Sequence, residues 1–285
     1  MKIAVLSGKG GTGKTLLSVN MAVAGDNATY IDCDVEEPNG HLFLKPKRVI
    51  KEKVTVKIPV VDRGLCNGCQ KCVEFCKFNA LAYINNNLMV FDNICHSCGG
   101  CVLICPEKAL TEKDKIIGEV QKGVSQNVNV LSGILNIGEA SGIPIIDKLL
   151  SKEPEDSQKT IIDCPPGSAC IVMESIKDAD YCVLIAEPTV FGVHNLSMVY
   201  ELVKLFNKPH GVILNKCLDG ENPAEEFCIK NNIKILYKIL FDSELGTLNS
   251  NALIAARERQ KYKKMFSEIL GKIVEEVQHE AAVNP

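Results

Sequence analysis

A doubly wound parallel α/β sheet, interrupted by a small cysteine-rich α+β module, is the fold this 285-residue sequence predicts. Three observations carry that expectation. Apolar runs of strand length alternate with helical periods along most of the chain, a glycine-rich loop joins the first strand to the first helix, and eight of the fourteen cysteines crowd into residues 66–105.

The first strand is the apolar run Ile3 to Leu6, and Leu16, Leu17, Val19, Met21 and Ala22 begin a helix. Between them stands SGKGGTGKT, residues 7–15, which satisfies G-x4-G-K-T in the strand-to-helix context that makes the pattern a phosphate site. Gly8, Gly10, Gly11 and Gly13, with Lys9 and Thr12 among them, let backbone N–H groups turn toward phosphate oxygens. Lys14 brings a positive charge to the β and γ phosphates, and the Thr15 hydroxyl is a ligand for Mg²⁺. The second strand, residues 28–34, ends in Asp32 and Asp34. Val54, Val56, Ile58 and Val60 alternate, so the chain leaves the sheet through a β segment.

It then enters two cysteine groups, Cys66, Cys69, Cys72, Cys76 and Cys95, Cys98, Cys101, Cys105, each spaced C-x2-C-x2-C-x3-C at a constant offset of 29 residues. Ala80-Leu81 recurs as Ala109-Leu110 at that offset, so the segment is an internal duplication. Zinc sites usually pair two C-x2-C knuckles across a longer gap, whereas a triple at spacing three with a following fourth cysteine is an iron-sulfur signature. In two-cluster arrangements the fourth cysteine of each group serves the other cluster. The expected ligand sets are therefore Cys66, Cys69, Cys72 and Cys105 for one [4Fe-4S] cluster, and Cys95, Cys98, Cys101 and Cys76 for the other. Pro106 follows the second group in the usual way, while Lys77 stands at that position in the first.

The chain returns through Ile116-Ile117 and residues 128–131, then a glycine-rich turn and a helix over 145–150. Further strands are expected near 160–163, 181–186, 210–214 and 233–239. Asp163 ends the first of these, ahead of Pro165-Pro166-Gly167. There it can hold a magnesium-bound water, and the Gly167 N–H can sense the γ-phosphate. Asn215 follows the strand at 210–214 as an amide able to read adenine. Residues 257–283 place Met265, Phe266, Ile269, Leu270, Ile273, Val274 and Val277 on one side, the stripe of a docked helix. Glu275, Glu276 and Glu280 argue against a cationic membrane-binding face.

With 32 Lys plus Arg against 35 Asp plus Glu, the balance argues against a nucleic-acid partner. Met1 leads straight into the first strand without a basic segment and apolar core, and no apolar stretch is long enough to span a bilayer. The expectation is a cytoplasmic protein without stable membrane insertion. Cys33, Cys164, Cys170, Cys182, Cys217 and Cys228 are scattered, as buried inert cysteines are, with Cys164 and Cys170 expected in the core.

SGKGGTGKT with its extra Lys9, DCD at 32–34, DCPPG at 163–167 and Asn215 together resemble the MinD superfamily of deviant Walker ATPases, which includes the nitrogenase iron protein and Mrp-type cluster carriers. Residues 62–112 resemble a bacterial two-cluster ferredoxin, and the subgroup the whole chain resembles carries such a domain as an insertion. The resemblance implies a P-loop ATPase domain formed by residues 1–61 and 113–285, with residues 62–112 inserted. It implies ATP and Mg²⁺ as ligands and a homodimer at least with ATP bound. It also implies catalytic roles for Lys9, reaching the partner's nucleotide, for Lys14, and for Asp34, orienting the attacking water, with Asn215 on the base. Two departures stand out. Pro38 replaces the second acid of the iron protein's first switch. Cys170 matches the offset of a bridging ligand there, yet has no companion cysteine, so a third cluster between subunits is not expected.

The expected function is an ATP-hydrolysing iron-sulfur protein in which nucleotide state gates electron transfer through the two clusters to a redox or client protein. A cluster or metallocofactor assembly factor, and a non-catalytic nucleotide-dependent regulator, stay open as alternatives.

Overall fold

In the computed structural model, which describes residues 1–152 and 159–283, the chain order is strand β1 (Lys2–Leu6), helix α1 (Lys14–Ala24), β2 (Thr29–Asp32) and α2 (Gly40–Leu44). A long β3 (Lys47–Val61) leads to α3 (Lys71–Phe75), β4 (Leu81–Ile84), β5 (Asn87–Val90), α4 (Gly100–Ile104) and an equally long β6 (Leu110–Ser125). Next come β7 (Val128–Leu135), α5 (Ile143–Ser151), β8 (Thr160–Asp163), α6 (Cys170–Ile176), β9 (Tyr181–Ala186) and α7 (Val190–Leu205). The chain continues with β10 (His210–Cys217), α8 (Pro223–Lys230), β11 (Ile235–Leu240), α9 (Ser243–Ser250), α10 (Ala255–Glu258) and α11 (Gln260–Val283).

Nine strands form one sheet in the order β11-β10-β9-β1-β8-β2-β7-β6-β3. From β11 to β7 every pairing is parallel, as the βα alternation predicts. The departure lies at one edge, where β6 pairs antiparallel with both β7 and β3. Period-2 alternation marked residues 54–60 as β but carries no information on strand direction. The direction follows because β6 and β7 are joined by a tight turn, which only antiparallel strands allow.

Two apolar layers cover the sheet, one built around Ile145, Leu149, Val172 and Leu196, the other around Leu17, Met21, Phe266 and Ile269. Phe266, Ile269 and Ile273 are fully buried, so α11 docks on the sheet beside α1, as its stripe predicts. Among the described residues no helix is long and apolar enough to cross a membrane.

The segment between β3 and β6 forms a small unit at the tip of these strands, with the hairpin β4–β5 and the short helices α3 and α4 around Cys72, Leu81, Leu88, Cys101 and Leu110. The antiparallel pair runs from the main sheet to the cysteine-bearing tip, with register shifts between Lys47 and Ile50 and between Val54 and Thr55, and Val61 opposite Leu110 at its end.

Candidate functional site

Parallel strands end together, and β1, β8 and β2 are neighbours with Val5 opposite Asp163 and Asp163 opposite Asp32. The glycine loop, Asp163 and the Asp32–Asp34 segment therefore gather at one edge of the sheet, where open α/β sheets bind ligands. The loop's shape needs glycine at two positions in particular. Gly13 holds φ +101°, and a Cβ there would lie 2.3 Å from the Asn215 amide nitrogen; a Cβ on Gly8 would lie 2.3 Å from the carbonyl oxygen of Asn195 in α7.

Lys14 is the buried cation of the site. Its Nζ stands 3.6 Å from Asp163 Oδ1, and its side chain is 9% exposed. Burial alone would lower its pKa, but Asp163, Asp34 and Asp32 outweigh that and raise it, so it stays charged. Burial, and then the Asp163 carboxylate, push Asp32 up to about 8, even though it accepts hydrogen bonds from the Gly40 and Asp34 N–H groups. Burial raises Asp34 as well, against the pull of Lys14. Three acids thus face one buried ammonium, with Asp163 its ion-pair partner, an arrangement that a divalent cation would complete. Asp163 Oδ2 accepts a 2.9 Å hydrogen bond from the Tyr30 hydroxyl, whereas its buried Oδ1 has no hydrogen-bond partner. That oxygen, paired with the Lys14 ammonium but accepting no hydrogen bond, is placed to accept one from a magnesium-bound water. The buried Thr12 hydroxyl is likewise without a partner inside the loop. Thr15, second residue of α1, is half-buried.

Three expected contacts are already occupied within the chain. The Asn215 amide donates to the Thr12 carbonyl at 2.7 Å, so it braces the loop. The Gly167 N–H donates to the Ser7 carbonyl at 3.0 Å and has to leave it to reach a γ-phosphate. Lys9 Nζ pairs with Glu187 Oε2 at 2.6 Å and lies 5.1 Å from the centre of the Phe191 ring. Glu187 also holds Lys216 at 2.7 Å, and Lys216 donates to the Gly11 carbonyl. Sequence reasoning missed Glu187, Lys216 and Tyr30. For Tyr30 a signal existed, since it lies two residues before Asp32 on the same face of β2.

The cysteines sort into two cavities. One, of about 390 Å³, is lined by Cys76, Cys95, Cys98 and Cys101 together with Phe75, Phe78 and His96. The other, of only about 20 Å³, is lined by Cys66, Cys69, Cys72 and Cys105 with Tyr83 and Leu88. Each set takes its fourth member from the opposite repeat, the crossing that the spacing predicts. The repeat symmetry extends to the backbone, because the Ala80 N–H donates to Cys76 Sγ at 3.4 Å and the Ala109 N–H to Cys105 Sγ at 3.3 Å. Among the described residues no three His, Cys, Asp or Glu side chains converge on a single metal-ion position. Of the scattered cysteines, Cys33, Cys164, Cys182, Cys217 and Cys228 are buried, and burial pushes the Cys228 thiol up to about 11. Cys170 departs from expectation: it starts α6 and is exposed, because the turn after Gly167 carries it out of the core.

Comparison with known proteins agrees with the geometry at the nucleotide end. The chain is 30% identical to uncharacterized protein MJ0578 of Methanocaldococcus jannaschii over 281 residues, covering 96% of this chain and 97% of that one. It is 26% identical to hydrogenase-4 component A of Escherichia coli over 156 residues, 52% of this chain and 71% of that protein. Among solved structures, the septum site-determining protein MinD complexed with Mg-ADP from Pyrococcus horikoshii has the same fold, with a TM-score of 0.60 at 17% identity and 95% of each chain covered. The family model of the CobQ/CobB/MinD/ParA nucleotide-binding domain matches residues 3–254, which hold both the glycine loop and Asp163, and the chain belongs to that family.

Proposed function

We propose that this chain is a Mg²⁺-dependent ATPase with two [4Fe-4S] clusters, in which the state of the nucleotide gates electron passage to or from a partner protein. The observation that carries the reading is the crossed cysteine sets, each around its own cavity, on strands continuous with the sheet that bears the glycine loop. A cubane needs four thiolates spaced around a volume, and apolar walls with backbone N–H donors to sulfur, as at Cys76 and Cys105, suit one. Bound there, the clusters would supply one-electron transfer. The proposed division keeps residues 1–61 and 113–285 as the ATPase domain and residues 62–112 as an inserted ferredoxin-like domain.

On this reading Lys14 would stabilise charge on the β and γ phosphates, Thr15 and Asp163 would hold Mg²⁺ and its water, and Asp34 would orient the attacking water. Triphosphate draws the Gly167 N–H off the Ser7 carbonyl and Lys9 off Glu187. Once released, Lys9 is free to meet the nucleotide of a second copy, and the homodimer closes on ATP. Mixing anaerobically reduced protein with an oxidising dye, with and without Mg-ATP, tests the proposal. The rate of cluster oxidation should depend on nucleotide, and equal rates in both arms would count against gating.

A further inference from the structure

We propose that Lys115 is a positioning residue that links the nucleotide site to the cavity of Cys76, Cys95, Cys98 and Cys101. Its ammonium, half-buried on β6, makes three contacts that use all its donors. It pairs with Glu139 Oε2 at 2.8 Å, and it donates to the Asp92 carbonyl at 3.0 Å and to Asn93 Oδ1 at 3.2 Å. Asp92 and Asn93 begin the turn that delivers Cys95 to its cavity, and Glu139 lies in the β7–α5 loop of the main sheet. One side chain therefore ties the cysteine turn to the ATPase body. A second tie between β6 and that turn, Lys113 with Asp92 at 3.8 Å, is exposed and correspondingly weak.

The β7–α5 loop is in turn held by the residue next to Asp34. The Leu135 N–H donates to the Val35 carbonyl at 2.8 Å. Val35, 1% exposed, fills the space that Cβ atoms on Gly133 and Gly142 would occupy, with its methyls 2.6 and 2.4 Å from those positions. A shift of Asp34 toward nucleotide cannot be absorbed by slack there, because close-packed contacts move together. Beyond Glu139 the packing loosens: a cavity of about 170 Å³, lined by Asp92, Cys95, Ser97, Lys115 and Glu139 among others, separates the cysteine turn from the body. The loop is also held to β6 itself, where the Asn136 N–H donates to the Ile117 carbonyl at 2.9 Å and its amide to the Ile116 carbonyl at 3.3 Å, so Lys115 is the side chain that carries the loop's position on to the turn.

This inference rests on the nucleotide-gating reading, and its test separates the two. Amide hydrogen exchange is followed on the full-length, cluster-loaded protein without nucleotide, with Mg-ADP and with Mg and a slowly hydrolysed ATP analogue. In the wild type, exchange in residues 92–97 and in residues 136–142 should change by about tenfold with the analogue. Lys115→Met should keep the response at 136–142 and lose it at 92–97, Glu139→Gln should do the same, and Lys115→Arg should restore it. Absorbance and iron content certify that each variant is loaded. A Lys115→Met protein that responds like wild type at 92–97, or a wild type silent there, overturns the role of Lys115. If electron delivery still depends on nucleotide in that case, the gating reading survives without it.

Discussion

The chemistry at residue level turns on one ammonium among three acids. Lys14→Met should bring ATP hydrolysis down to background, a loss of at least about a hundredfold, because charge on the transferring phosphoryl loses its stabiliser. The same change leaves buried Asp163 without its cation and should cost about 3 kcal/mol in urea denaturation of the nucleotide-free protein. Asp32 gives a pH prediction. Its pKa is higher folded, at about 8, than unfolded, so across the interval from the ordinary carboxylate value to about 8 the native state holds more protons. Nucleotide-free stability therefore falls as pH rises through that window. Thermal melts between about pH 5 and about pH 8 should show this fall, and Asp32→Asn should flatten it; parallel curves for the two proteins would count against the buried-acid account. At this scale the glycine loop, Asp163 and the cysteine crossing were legible, because each is a local pattern of residue type and spacing. The engagement of Asn215 with Thr12, of Gly167 with Ser7 and of Lys9 with Glu187 was not, because those partners arrive from other strands.

Among elements, α11 and the paired β3–β6 strands carry the two clearest lessons. The apolar stripe of α11 predicted a docked helix, and Phe266 lies at 0% exposure in the layer shared with Leu17 and Met21. Phe266→Ala should therefore cost about 3–5 kcal/mol by chemical denaturation, the range for deleting a buried aromatic ring. A change below about 1 kcal/mol would mean that the helix is held elsewhere. The strands β3 and β6 were legible as β but not as long antiparallel partners, since alternation fixes the face of a strand and not its direction. Their tip yields a test of the crossing. Cys105→Ser and Cys66→Ser should give the same residual spectrum and about half the wild-type iron, although the two residues come from different repeats, whereas Cys76→Ser should resemble Cys95→Ser. Spectra grouped by repeat instead would reject the crossed sets.

Taken as a whole molecule, the chain joins a nucleotide-binding sheet to a cysteine-bearing tip through the two paired strands β3 and β6. The proposed coupling between the ends was not readable from motifs, because it would run through Val35, Glu139 and Lys115, which belong to none. A spectroelectrochemical titration of the anaerobically reconstituted full-length protein tests the gating most directly, run without nucleotide, with Mg-ADP and with Mg and the ATP analogue. The account predicts about eight irons per chain, two one-electron waves, and a nucleotide-dependent displacement of at least one wave by about 59 mV, a tenfold change in its reduced-to-oxidised ratio. Colourless, iron-free protein after reconstitution, or waves that superimpose in all three conditions, would contradict it.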